Sequence, residues 1–124
     1  MAQSHFRSKR KVSGKRYVPL RKKRLSELGG ISAHTEIGNT KIKTKRVKGG
    51  NVKSAALRVE HVYVNDKKKT VKLVIEGVTN NPANIHYSRR NIITKGAIVK
   101  TNKGDVKITS RPGQSGTLFG VFMN

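Results

Sequence analysis

From residue 40 onward, hydrophobic and polar positions alternate with a period of two. In TKIKTKRV, Ile42 and Thr44 fall opposite Lys41, Lys43 and Lys45. In VKSAALRVEHVYV, Ala55, Leu57, Val59, His61 and Tyr63 alternate with Ala56, Arg58, Glu60, Val62 and Val64. TVKLVIEGV, residues 70–78, sets Val71, Leu73 and Ile75 on one face. NIITKGAIVK (91–100), VKITS and TLFGVFM complete the series. A two-residue period is that of a half-buried strand. KGGN (48–51), NDKKK (65–69), TNKGD (101–105) and RPGQSG (111–116) supply the turns, and Gly96 is expected at a bulge. Six short strands spaced by turns predict a mainly β fold, a small six-stranded antiparallel barrel-like domain. A barrel is favoured because one thin sheet could not bury these faces.

The first thirty residues follow a different rule. SKRK, GKR and RKKR dominate them, with few apolar residues between. Burial cannot offset the entropy of ordering such a segment on its own. Residues 1–33 are therefore expected to form a basic, extended N-terminal arm, disordered when free, and residues 34–124 the β domain. Pro19, LRKKRLSEL and Gly29-Gly30 carry start and stop signals for a short helix, with Leu20, Leu25 and Leu28 on one face. Nine or so residues are marginal alone, so this helix is expected only when docked.

Charge sharpens this division. Of the 124 residues, 28 are Lys or Arg and 6 are Asp or Glu, a net charge of +22. Ordinary solubility asks for roughly 2–8. Such self-repulsion disfavours a compact free state, and a bound polyanion relieves it. Residues 1–53 hold 16 of the basic residues against 2 Glu. RNA, DNA and an anionic membrane are the possible polyanions. Membrane is the weakest: no apolar run approaches the roughly 18–20 residues of a span, and the basic runs lack an apolar face. The chain has no Cys, no Asn-x-Ser/Thr sequon and no apolar leader-like run at its N-terminus, which suits a cytoplasmic protein.

No enzyme constellation emerges. The acids are scattered among lysines, where local charge pairing accounts for them. His5, His34, His61 and His86 lack the close pair from which a zinc site starts, and His61 reads as a packed or surface strand residue. No phosphate-binding glycine loop is present. GQSG around Ser115 lacks the spacing of a nucleophile elbow. No catalytic residue, metal or cofactor is expected.

Nucleic-acid binding fits better, because Lys and Arg neutralise phosphates and the released counterions supply affinity. The connection NNPANIHYSRR is far longer than a hairpin turn requires. It sets Arg89 and Arg90 beside His86 and Tyr87, charge next to flat rings. Asn81-Pro82 and Asn84 either shape this turn or contact RNA. RPGQSG adds Arg111 and Gln114, unless it is a plain turn. The candidate RNA contacts are Arg7, Lys9, Arg10, Lys11, Lys15, Arg16, Arg21, Lys22, Lys23 and Arg24 in the arm. In the domain they are Lys45, Arg46, Lys48, Asn51, Lys53, Asn84, His86, Tyr87, Arg89, Arg90, Lys95, Arg111 and Gln114.

Three blocks, RVKGGNVKSAALR (46–58), NNPANIHYSRRNIITKG (80–96) and ITSRPGQSG (108–116), closely resemble the archaeal and eukaryotic small-subunit ribosomal protein family S-eight-e, in its archaeal form. The likeness extends to RSKRKVSGKR and RKKRLSELG in the arm. It implies a structural constituent of the small ribosomal subunit, with a barrel-like body on the subunit surface and an arm that enters small-subunit ribosomal RNA. It also implies neighbouring small-subunit proteins as partners, a monomer within the ribosome, and no catalysis. The arm basics, Arg46 to Asn51, Arg89, Arg90 and SRPGQ match the family's RNA-facing motifs. Two positions depart: the family usually has an acid where Ser115 stands, and an aliphatic C-terminal strand where this chain reads TLFGVFMN.

Other readings compete with this one. A large-subunit assembly factor with a related C-terminal domain would carry a longer N-terminal region. A small architectural DNA-binding protein is allowed by composition, but no helix-turn-helix or dimer element is present. An RNA-acting enzyme lacks an acid–base pair.

Overall fold

The computed structural model describes residues 4–66 and 69–123. It divides into two compact units, Met1–Ser32 and Ala33–Asn124, each treated by itself. Residues 1–3 of the expected arm, Lys67 and Lys68 of the expected NDKKK turn, and residue 124 of the expected domain lie outside the described residues.

The second unit is mainly β. Its elements in order are β1 (Thr35–Ile37), β2 (Lys41–Arg46), β3 (Val52–Val59), β4 (His61–Asp66), β5 (Lys69–Asn80), helix α1 (Ile85–Arg89), β6 (Ile92–Ile93), β7 (Ile98–Thr101), β8 (Gly104–Ile108), helix α2 (Pro112–Ser115) and β9 (Phe119–Phe122). Strands β4-β5-β7-β8-β9 form a closed barrel, and β2-β3-β1-β6 a four-stranded sheet. Barrel closure removes free edges.

The mainly β, barrel-like expectation holds, but its strand count and directions change. Among the described residues, nine strands in two sheets replace six, because two runs that read as single strands are each broken and a short strand, β1, precedes them. Residues 52–64 split at Glu60, which lies in a bend between β3 and β4. Buried positions shift parity there, from Val59 to Val62 and Val64, and the chain passes from the sheet into the barrel. Residues 91–100 split into β6 and β7 around a turn in which the Ala97 amide donates to Thr94 O. Gly96 serves this turn at φ +85, not a bulge within a strand. Two pairings are parallel rather than antiparallel, β1 with β3 and β4 with β9. Strand β1 escapes the periodicity altogether, being three residues long. Buried Thr35 anchors it by donating from Oγ1 to Ala56 O at 2.6 Å.

Val62 and Val64 of β4, Leu73 and Ile75 of β5, Val99 of β7, and Val106 and Ile108 of β8 fill the core with Ala56, Val59, Ile93 and Leu118. The alternation read from the sequence thus meets a single interior, with the odd-numbered residues of β5 and the even-numbered residues of β4 and β8 inside.

The first unit contributes no buried hydrophobic residue among those described. It is not a straight arm, however. Isolated bridges join Ser4 to Leu28 and Arg10 to Arg16. The Arg7 guanidinium lies 4.4 Å from the Tyr17 ring centre and donates to Val18 O at 2.9 Å. Arg21 covers Phe6 at 5.1 Å and pairs with Glu27. Stacked cations and carbonyl contacts fold the segment back where apolar burial cannot. Where a helix is expected on docking, the undocked segment forms one 3-10 turn, Leu25–Glu27. Leu20 and Leu25 are 80% and 87% exposed, so no surface rewards a leucine stripe.

Candidate nucleic-acid interface

The long connection after β5 is built on Asn81. This side chain is 2% exposed. Its Nδ2 donates to Ile92 O at 2.9 Å, and its Oδ1 accepts from the Ala83 amide at 3.0 Å and from Thr94 Oγ1 at 2.8 Å. One amide thereby ties both ends of the loop together. Asn84 then caps α1, its Oδ1 accepting from the His86 amide at 2.9 Å. At the far end Asn91, at φ +52, accepts from the Val78 amide at 3.3 Å. The asparagines therefore shape the turn, including Asn84, whose oxygen is committed to the cap.

On this base the structure presents His86, Arg89 and Arg90 exposed and Tyr87 half-buried. Tyr87 meets His34 edge to face, with ring centres 5.7 Å apart. His34 carries no signal in the sequence, because the contact is made across the fold. Lys95 is exposed in the turn between β6 and β7.

The second group gathers on the β2–β3 hairpin. Its 3-10 turn, Lys48–Gly50, is closed by the Val47 amide donating to Asn51 O at 2.8 Å, and Asn51 Nδ2 donates to Lys48 O at 3.3 Å. All six residues of β2 are exposed. The register sets Lys45 directly across from Lys53 and Lys43 across from Ala55. Like charges in direct opposition repel. Lys43 and Lys45 share a face, being two residues apart on one strand. Lys41 and Lys43 extend the cationic row beyond the candidates named above. The K-x-K-x-K spacing carried that signal.

Helix α2 packs against this hairpin. Ser115 bridges to Ser54, and Pro112 at the first turn is buried. Gly116 ends the helix at φ +75, where a Cβ would stand 2.8 Å from the Ser54 Cβ. So close an approach admits only glycine. Arg111, the N-cap of α2, and Gln114 within it are thereby seated beside the hairpin that carries Lys45, Arg46 and Lys53, and both side chains are exposed. RPGQSG is a seated helical turn, not a plain connection.

Arm candidates Arg7, Lys9, Arg10, Lys11, Lys15, Arg16, Arg21, Lys22, Lys23 and Arg24 are all exposed. Arg10 donates to Gly14 O at 2.9 Å. The Arg21 guanidinium, bonded to Glu27, holds that carboxyl below the usual carboxylate range. The pair is therefore intact at neutral pH and is lost as pH falls through the lowered value.

Two acids elsewhere pair with cations outside the candidate set, Glu36 with Arg58 at 3.6 Å and Glu76 with Lys100 at 3.9 Å, and Glu60 lies 3.6 Å from His61 Nε2. Among the described residues, Lys45, Lys53, Arg89 and Arg90 have no acidic partner, and no group of three residues could hold a metal. No helix among them is long and apolar enough to cross a membrane.

Fold and surface together define a small β-barrel protein with unneutralised cations displayed on pinned loops and a hairpin. The family of ribosomal protein S8e matches residues 4–123, and the chain belongs to it. It is similar to the small ribosomal subunit protein eS8 of Methanocorpusculum labreanum, at 48% identity over 94% of this chain and 95% of the relative. The Methanococcus aeolicus protein of the same name is 48% identical over 94% of each chain. That of Nanoarchaeum equitans is 47% identical over 94% of each. Membership of a ribosomal family makes the chain a structural protein and not an enzyme.

Proposed function

We propose that this chain is a structural constituent of the small ribosomal subunit, held there by Lys and Arg contacts to small-subunit ribosomal RNA. It supports subunit assembly and translation in the cytoplasm, as a monomer beside neighbouring small-subunit proteins. The family match over nearly the whole chain carries this reading. The exposed cations without acidic partners, and the opposed Lys45 and Lys53, support its RNA-binding part. Residues 34–124 act as the folded RNA-binding domain. Residues 1–33 act as an arm that takes its final form on RNA, since it has no buried apolar residue of its own among those described.

The test is sedimentation of native lysate through sucrose gradients at low and high salt, probing for this chain. Retention in the small-subunit peak at high salt is expected. Migration with large-subunit precursors would instead indicate an assembly factor, and release to the top at high salt would mean loose charge binding only.

A further inference from the structure

The outer wall of the barrel has a face unlike the rest of this basic protein. Residues of β4, β5 and β9 whose neighbours point into the core point outward. Among them Val74, Phe119 and Val121 are 42%, 48% and 44% exposed, and Met123, just past the end of β9, is 47% exposed. The parallel pairing of β4 with β9 sets Tyr63 beside Phe119, ring centres 5.8 Å apart and tilted by 37°. Lys72 stands across from Tyr63 and Lys107 across from Val121. Both lysines are exposed, and among the described residues neither has an acidic partner. The result is an apolar strip of Tyr63, Phe119 and Val121 between Lys72 and Lys107, with Val74 beside Lys72 on β5, opposite His61. Asp105, whose carbonyl accepts from the Met123 amide at 3.0 Å, lies at its far end.

We infer that this β4–β9 face docks a neighbouring protein of the particle, through a segment with apolar anchors flanked by Asp or Glu. The inference rests on the ribosomal reading above and adds which face meets protein rather than RNA. Three observations select that occupant. Phe, Tyr and Met are enriched in protein interfaces, and around the Tyr63–Phe119 pair Val74, Val121 and Met123 add aliphatic area on which a base does not stack. No arginine lies on the strip, so the fork that grips phosphate and base edges is missing. Lys72 and Lys107 are placed to complement acids beside the anchors. RNA is left to the hairpin, loop and arm, where the exposed cations concentrate.

The test uses assembled particles. Cells would make the full chain with the photo-crosslinker benzoylphenylalanine in place of Phe119. Small subunits would be purified at high salt and irradiated, and the adduct treated separately with protease and ribonuclease. The expected adduct survives ribonuclease and is lost to protease. Its partner peptide contains apolar residues flanked by acids. An adduct with RNA, an adduct with a basic peptide, or no adduct in intact subunits would overturn the inference and leave the ribosomal reading standing. Absence of the chain from the small-subunit peak would overturn both. As a second measurement, the pair Phe119→Ser and Val121→Ser should strip the crosslinked neighbour from subunits at a salt concentration that leaves it bound to the parent particle. Equal retention would count against the docking face. These side chains are exposed, so the free double variant should melt within a few degrees of the parent.

Discussion

At the scale of the residue, the long loop separates shape from charge. Asn81 is buried and makes three hydrogen bonds that hold both loop ends. Arg89 and Arg90 sit a few residues on, exposed and without acidic partners among the described residues. Their substitution should therefore fail in opposite ways. Asn81→Ala leaves Ile92 O and the Ala83 amide without their partner, at a cost of about 1–3 kcal/mol. For a domain of this size, roughly 4–8 °C of thermal midpoint is lost per kcal/mol. Arg89→Ala with Arg90→Ala should leave the midpoint nearly unchanged. It should weaken binding to small-subunit RNA and flatten the dependence of log affinity on log salt by about 0.7–0.9 per lost phosphate contact. Melting curves and salt titrations of both variants check this. An unaltered salt slope would remove the arginines from the contact set. The two roles were unequally visible beforehand. Paired arginines beside flat rings announce themselves in a sequence. Which asparagine is buried depends on Ile92 and Thr94 arriving from the following strand and turn.

At the scale of the element, the β2–β3 hairpin shows stability and binding opposed. Lys45 faces Lys53, and Lys43 lies on the same face as Lys45. Repulsion across such a pair weakens the free hairpin, by roughly 0.2–1 kcal/mol, while the same charges strengthen binding to phosphate. Replacing Lys43, Lys45 and Lys53 with Gln should hold or raise the thermal midpoint of the free protein. The same triple variant should reduce the RNA salt slope by roughly two to three. A lower midpoint with unaltered RNA binding would mean that these lysines serve packing. Helix α2 illustrates the other side of element-level structure. Pro112, Gln114 and Gly116 marked a connection, but its seat on Ser54 is set by the close approach at Gly116, across sixty residues of chain.

At the scale of the whole molecule, net charge governs behaviour before RNA arrives. With +22 spread over 124 residues, self-repulsion extends beyond any single pair and falls within roughly 10 Å at 0.1 M salt. Raising monovalent salt should therefore raise the melting temperature of the free protein while weakening its hold on RNA. Amide exchange of the free chain should be fast across residues 4–32 and slow across the barrel strands, measured by mass spectrometry of peptic fragments. Protection of the first unit equal to that of the barrel would contradict the tethered-arm picture. The fold back of that unit through Arg7 on Tyr17 and Arg21 on Phe6 uses contacts on the surface, which open at little cost.

The sequence by itself determined the period-two strands, the barrel-like class, the identity of the inward residues in β5, and the cationic surface. Each of these follows from side-chain polarity at fixed spacing along one strand. Only the tertiary structure decided where the chain changes sheets at Glu60, the parallel pairings of β1 with β3 and β4 with β9, and the pairing of Tyr87 with His34. It also decided that Tyr63, Phe119 and Val121 share one outer wall. These depend on which distant strands become neighbours. A strand's alternation says which residues share a face, and the closed barrel then decides what each face meets.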